Sequence, residues 1–357
     1  MVRDLYTKYC IKQRERYDIA NIKGKLRQCE VNPLTKGQKS DIDAFYTKLV
    51  GHKVPQYWHE YFYSRNERFS VKYIPTSFYH KEIIYRLNNF RFRHAYVDKS
   101  IYDIYFPDVN RPKTIVKNIN GYFYDEKSAL TREEALARCQ NLKSVVIKPT
   151  LEGMWGEGVK ILDIQDGRIV DGGSSIDSLF LSYDSNFIIQ EKVKQNDQLS
   201  LLNPTSLNTL RVLSYRNGNE IFILYAVVRI GRLGKMIDNE TAGGINADID
   251  MTTGTIVDCA YGTPKEKKLL TTDSGTKLKG FAIPSFDKVF EKVKELHLRL
   301  PYFNMIGWDW GIDENGMPVL IEWNRAPDLS QTAHGPAFGD MTEFIIKDTL
   351  QRKDTRF

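Results

Sequence analysis

Cysteine is scarce in this sequence: Cys10, Cys29, Cys139 and Cys259 are the only four in 357 residues. They lie far apart, with no C-x-x-C pair and no histidine placed to join them. Neither a zinc site nor a disulfide framework is indicated, which fits a reducing cytoplasm. Long apolar runs are missing too. Nothing approaches the length of a membrane span, and the first ten residues lack an apolar signal core. A cytoplasmic location with no transmembrane segment is expected. There is no internal repeat, no low-complexity segment and no named nucleic-acid motif, so nucleic acid is not expected as a partner. No compelling Ser-His-Asp or Cys-His arrangement is present either.

What remains is ordinary in bulk. Hydrophobic residues make up 41% and charged residues 27%, as in soluble globular proteins, and the length allows two or three lobes with a sizeable core. The net charge of +6 is spread out. Only the first thirty residues stand apart, with eight Lys/Arg against four Asp/Glu. Such a segment could attract an acidic polymer or an anionic membrane surface, but solvated helix faces explain it more commonly.

The most informative stretch is Asn304 to Arg325. Two apolar, β-branched and aromatic runs flank Glu314-Asn315-Gly316-Met317, and Asn-Gly is the strongest short-range hairpin signal. With Asn315-Gly316 as a two-residue turn, Glu314 faces Met317, Trp310 faces Ile321, Asp309 faces Glu322 and Gly307 faces Asn324. Asp309, Glu322 and Asn324 then share one face, and Trp308, Trp310 and Trp323 take the other. Two carboxylates opposed across a buried hairpin repel each other. A hard divalent cation resolves that conflict, since Mg²⁺ takes a few carboxylate or amide oxygens and leaves positions open for phosphate. The competing interpretation is a surface hairpin with its acids in water.

Residues 1 to about 95 read as mostly helical. A helix capped by Asp41 is expected up to Val50, and helical character resumes from Phe78 to Leu87. Tyr57, Trp58, Tyr61 and Phe62 have the spacing of a core stripe, with a sugar-stacking platform as the minority alternative. Asp98 to Phe106 reads as a short helix beginning with a cationic side chain. Thr131-Arg132-Glu133-Glu134 is a capping-box signature for a helix over 132–141. Strands follow at 144–149, ending near Lys148, and at 187–193. Between them, Thr150 to Ile161 is glycine-rich but matches neither G-x-x-x-x-G-K-[ST] nor G-x-G-x-x-G. Its backbone N–H groups could close over phosphates, or it could be a plain hairpin turn. Two strands around Asn217-Gly218-Asn219 each carry one arginine, Arg211 and Arg229, hinting at an anion site. Phe286, Val289, Phe290, Val293, Leu296 and Leu300 mark one amphipathic helix, closed by Pro301.

The order of these pieces resembles the ATP-grasp superfamily over about residues 95–330: lysine, strand, Lys148, glycine flap, Gln190-Glu191-Lys192-Val193, paired arginines, and an Asp…Glu-x-Asn hairpin. Ile74-Pro75, Leu87-Asn88, Asp98-Lys99, Ser206-Leu207-Asn208-Thr209-Leu210-Arg211, Asp238-Asn239, Gly243-Gly244-Ile245 and Ile321-Glu322-Trp323-Asn324 are similar to its sugar-transfer-associated group. The resemblance implies an α+β, ATP-grasp fold: two α+β lobes clamping Mg-ATP, behind an N-terminal mostly helical region. The expected divisions are 1–95, 96–190 and 191–357.

The resemblance also implies roles. Lys99 and Lys148 match the lysines on the α- and β-phosphates. Glu152, Gly153, Gly156 and Gly158 belong to the flap over the triphosphate. Glu191, Lys192 and Val193 fall at the adenine hinge, with Asp197 or Gln198 at the ribose. Asp309, Glu322 and Asn324 match the magnesium ligands. Arg211 and Arg229 are placed to stabilise phosphoryl transfer, and Asn246, with Asp238 and Asn239, falls on the acceptor side. His334, just beyond the hairpin, could contact substrate, but a lone loop histidine is more often incidental and it is left out of the site.

ATP and Mg²⁺ are the implied cofactors, and the implied reaction joins a carboxylate to an amine through an acyl phosphate. The carboxylate substrate could be a uronic-acid glycan or sugar nucleotide, and the amine an amino acid, in surface polysaccharide (capsule) biosynthesis with weak association to membrane-bound glycan machinery. A small-molecule or sugar kinase on the same fold is one alternative. The other is a basic glycan-binding adaptor with a vestigial nucleotide site.

Overall fold

The computed structural model describes residues 2–356 except 141, 152–157, 166, 172, 237 and 239–242, with the backbone alone for 2–7. Two antiparallel sheets dominate it. The first has seven strands: β1 (Thr114–Ile119), β2 (Tyr122–Tyr124), β3 (Ala129–Leu130), β4 (Ser144–Pro149), β5 (Lys160–Gln165), β6 (Arg168–Ile169) and β7 (Phe187–Glu191), in the order β3-β2-β1-β7-β4-β5-β6. The second has six: β8 (Thr209–Asn217), β9 (Glu220–Ile230), β10 (Ile245–Asp250), β11 (Thr255–Tyr261), β12 (Met305–Ile312) and β13 (Pro318–Asn324), in the order β11-β10-β9-β8-β12-β13. Helices pack on both sheets, giving the expected α+β class. The capping box before Arg132–Gln140 is present, with Thr131 N–H on Glu134 and Glu134 N–H on the Thr131 hydroxyl.

The six-stranded sheet has two very different faces. Val212, Val228, Ala247, Trp308, Trp310, Leu320 and Trp323 point to one side, where Phe286–Leu298 covers them with Phe286, Val289, Val293 and Leu296. On the other side, Leu213, Tyr215, Tyr225, Val227 and Met305 bury against the N-terminal helical region through Ile42, Tyr46, Phe78, Tyr79 and Leu87. That region therefore packs directly on the sheet. Trp58, Tyr61 and Phe62 are core residues, packed with Ile22, Leu26 and Tyr73, as their spacing suggested.

Two helix starts differ from the sequence reading. The helix ending at Val50 runs Lys36–Val50, and its cap is Thr35, which forms a reciprocal box with Gln38; Asp41 lies inside it. The second helical stretch begins at Thr76 and carries one π-helical turn, Tyr79–Ile83.

Asn88 fastens this region to the hairpin. Its buried amide accepts from the N–H groups of Asn304 (2.7 Å) and Met305 (2.9 Å) and donates to the carbonyls of Met305 (2.7 Å) and Arg325. One side chain thus holds the start of β12 and the exit of β13. Gln331 makes a similar clasp, bonding both backbone groups of Ile74 at 2.8 Å.

The hairpin register at its chemical end is the expected one: Asp309 pairs with Glu322 and Gly307 with Asn324. The turn is not. Asp313 pairs with Met317 across three residues, with Gly316 at φ +72° and the Asp313 carboxylate accepting from the N–H groups of Asn315 and Met317. A type I turn closed by a left-handed glycine needs only one positive φ and adds a residue to the loop. A bulge at Ile321 then leaves Trp310 opposite Leu320 and corrects the register before Glu322. Ile321 is therefore not opposite Trp310; its Cδ1 lies beside Gly311 on the Asp309 face.

Candidate functional site

The polar half of the second sheet's inner face gathers Thr209, Arg211, Arg229, Asn246, Asp309, Glu322 and Asn324. Alternation and register put them together: Asp309 pairs with Arg211 on β8 and Glu322 on β13, while Arg229 pairs with Thr209 and Asn246. Arg211 grips Asp309 in bidentate fashion, Nε to Oδ1 at 2.6 Å and Nη2 to Oδ2 at 2.8 Å. Arg229 stands 3.5 Å from Oδ1, and the Asn324 amide N–H donates to Oδ2 at 3.1 Å. Burial alone would raise the Asp309 pKa; the two guanidiniums outweigh it and hold the carboxyl below the usual range. The same contact keeps Arg211 charged despite its desolvation.

Glu322 is the more open carboxylate. Its Oε2 lies 3.4 Å from Lys99 Nζ. Lys99 is fixed at both ends of its short turn: Asp98 caps Ser100 N–H at 2.9 Å, and Lys99 N–H donates to Thr150 at the exit of β4. Lys148, on β4, is 8% exposed and has no hydrogen bond or ion pair among the described residues. Burial, then the charge of Lys99, pushes its ammonium down to about 8, with Glu322 pulling the other way. Two lysines from the first sheet's side and one carboxylate from the second thus meet.

The hinge residues lie at the joint between the sheets. Glu191 ends β7 with its carboxylate on Lys113 Nζ at 2.8 Å, Lys192 is exposed and Val193 is half-buried. Glu314 N–H then donates to Lys194 O, and Asn196 N–H to Ile312 O, which strings the chain along the hairpin tip. Asp197 is exposed at the start of Asp197–Ser200, and Gln198 donates to Ala282 O at 2.7 Å. Of the flap residues, Gly158 is at φ +76°, where an added Cβ would sit 2.8 Å from Pro149 Cγ; Glu152, Gly153 and Gly156 lie outside the described residues, as does Asn239.

Among the described residues, no group of three or more His, Cys, Asp or Glu is arranged to hold a metal. An oxygen set of two facing carboxylates and one amide nevertheless suits Mg²⁺, which keeps most of its other positions for water and phosphate. Glu322, held only by the 3.4 Å contact with Lys99 and by its neighbour Asp309, is the more available carboxylate, whereas both Asp309 oxygens are engaged by Arg211 and Asn324.

The contacts of several neighbours are not legible in the sequence. The Asp238 carboxylate accepts from both the N–H and the hydroxyl of Thr209, and burial, eased by Arg229 and Thr209, raises it to about 6. Asn208 is buried and bonds Gln195, Leu199 O and Asn203 O, which gives the Ser206–Arg211 text a structural reason. His334 has partners: its Nδ1 lies 2.7 Å from Asp248 Oδ1 and its ring stacks on Tyr225. No local motif signals that pair, since 86 residues separate its members.

The chain matches the sugar-transfer associated ATP-grasp family over residues 81–341, which exceeds the 95–330 span of the superfamily resemblance at both ends but begins after Ile74-Pro75. It belongs to that family, and its fold is the ATP-grasp fold. No curated protein matches it. Among solved structures, D-alanine–D-alanine ligase from Bacillus anthracis complexed with ATP is similar at 13% identity, with 71% of this chain and 63% of that chain covered and a TM-score of 0.39. The ATP-grasp ligase PsnB, complexed with Mg, ADP and a phosphomimetic variant of a minimal precursor, is 12% identical, with 74% and 61% covered and a TM-score of 0.42. Biotin carboxylase from Campylobacter jejuni is 12% identical, with 72% and 46% covered and a TM-score of 0.44. This chain spans less than two thirds of the length of each of these three proteins. No helix among the described residues is long and apolar enough to cross a membrane.

Proposed function

We propose that this chain is an ATP- and Mg²⁺-dependent ligase that joins a carboxylate to an amine through an acyl phosphate, releasing ADP and phosphate. The observation that carries this reading is Lys148. A buried ammonium with no partner among the described residues, beside a second lysine, is costly unless an anion arrives. A nucleotide triphosphate is an anion of the right kind for a member of this family.

In this reading Lys99 and Lys148 hold the α- and β-phosphates, and the loop from Glu152 through Gly153 and Gly156 to Gly158 covers them. Glu191, Lys192 and Val193 receive the adenine, and Asp197 the ribose. Glu322 and Asn324, with Asp309 held in place by Arg211, would hold the magnesium, whose chemistry would be to screen the phosphate oxygens. Arg211 is committed to Asp309, so its part is to fix that carboxylate. Arg229, at 3.5 Å from the same carboxylate, is the freer guanidinium for charge developing on the transferred group. Asn246, paired with Arg229 across the strands, faces the acceptor.

Activation by phosphate asks little acid–base work of the protein, which supplies positioning and electrostatics. The family's sugar-transfer association supports a uronic-acid-type carboxylate as donor, an amino acid or other amine as acceptor, and a place in surface polysaccharide assembly. Phosphorus NMR with Mg-ATP, uronic-acid sugars and a pool of amino acids tests it. ADP and free phosphate that appear only with both acid and amine support the ligase; a new phosphomonoester signal makes the chain a kinase instead.

A further inference from the structure

We infer that His334, oriented by Asp248, is the base that accepts the proton of the attacking amine. Three observations converge on it. Asp248 Oδ1 lies 2.7 Å from Nδ1 of His334, and the two side chains are only 14% and 20% exposed. The imidazole stacks on Tyr225, with ring centroids 4.9 Å apart and planes 25° from parallel. Finally, Nε2 has no hydrogen-bond partner among the described residues and is not sealed from solvent. A ring held at one nitrogen by a carboxylate and left free at the other is built to take a proton at the free one.

The position suits the acceptor. Asp248 is two residues along β10 from Asn246, which pairs with Arg229, so Asp248, Asn246 and Arg229 share one face of the sheet. Tyr225, beneath the imidazole, lies within electrostatic reach of both Arg211 and Arg229. His334 therefore stands at the edge of the arginine cluster, on the side away from Lys99 and Glu322, where the second substrate would enter. This inference rests on the ligase reading.

The step balances as follows. The amine arrives as an ammonium and gives one proton to His334 Nε2, and Asp248 steadies the resulting imidazolium. The nitrogen lone pair then forms the C–N bond at the acyl carbon. As the adduct collapses, the bond from carbon to the phosphate oxygen breaks, its electron pair leaves with phosphate, and the second nitrogen proton goes to that phosphate. Amide, hydrogen phosphate and one proton on His334 are the products.

The test compares wild type, His334→Gln, His334→Ala and Asp248→Asn with Mg-ATP and a uronic-acid mixture, using either hydroxylamine or an amino-acid pool as nucleophile. Hydroxylamine is uncharged at neutral pH and needs no base. His334→Gln should keep hydroxamate formation within about twofold and lose amide formation by roughly 10²–10⁴-fold, the usual reach of general base catalysis. Added imidazole should restore part of the amide rate to His334→Ala. Equal losses with both nucleophiles, or no loss with either, overturn the assignment. So does a ¹⁵N spectrum showing the His334 proton on Nε2, a result that leaves the ligase reading standing. No hydroxamate from wild type with normal Mg-ATP binding removes the ligase reading, and the base with it.

Discussion

Arg211 and Asp309 form a bidentate ion pair between adjacent strands, with each side chain only 5% exposed. Removing one partner strands a charge in the sheet. Arg211→Met should cost about 3–5 kcal/mol in urea unfolding, as broken buried pairs do. Arg211→Met combined with Asp309→Leu should recover most of that loss while remaining inactive. A single variant within about 1 kcal/mol of wild type would mean that Arg229 alone suffices to hold Asp309.

Glu322 has the opposite character, being half-buried and loosely paired with Lys99. Glu322→Ala should leave unfolding within about 1 kcal/mol of wild type and abolish Mg-dependent ATP turnover. Calorimetric titration with ADP, with and without Mg²⁺, separates the two effects. An active variant removes the metal assignment.

Lys148 sets a pH dependence whose sign can be worked out. Burial and the charge of Lys99 push its pKa from the ordinary 10.5 down to about 8 in the folded protein. Between these values the unfolded chain binds more protons, so this group's contribution to stability rises with pH through the window and is lost as pH falls through 8. At neutral pH the buried charge costs on the order of 3 kcal/mol at most. Lys148→Met should therefore unfold at higher urea at pH 7 than wild type, flatten the rise between pH 8 and 10, and lose nucleotide affinity. Nucleotide binding near pH 8.5 should take up protons, seen as a buffer-dependent heat.

Gly158 has a left-handed backbone, and a side chain there would run into Pro149. A valine there should disturb the β4–β5 junction as well as any closure of the loop over phosphate. Gly158→Val should cost about 1–3 kcal/mol from strain, read as a lowered urea midpoint. Wild-type stability with lost turnover would restore the pure flap interpretation.

The sequence carried the hairpin's site end because alternation and charge conflict are local: Asp309, Glu322 and Asn324 follow from counting. It misplaced Ile321 because two one-residue irregularities, the longer turn and the bulge, cancel before Glu322 is reached. Asp41 drew the helix start inward because an acidic residue before an apolar run resembles a cap, whereas Thr35 and Gln38 satisfy two backbone donors together. The strands with Arg211 and Arg229 were legible as apolar runs, but Arg211's commitment to Asp309 needed the strand order. The pairing of His334 with Asp248 was illegible for the same reason: it depends on how the segment after β13 crosses the sheet.

Asn88 and Gln331 each complete backbone groups from parts of the chain more than two hundred residues distant. The helical region is thus not a module that can be trimmed or swapped. Cutting it away would bare Leu213, Tyr215, Tyr225 and Met305 on the sheet and release both ends of the hairpin that presents Glu322. Diversity in what such chains accept must then arise with this region in place, through the loops and side chains at its seam with the sheet, where Tyr225 and His334 already lie.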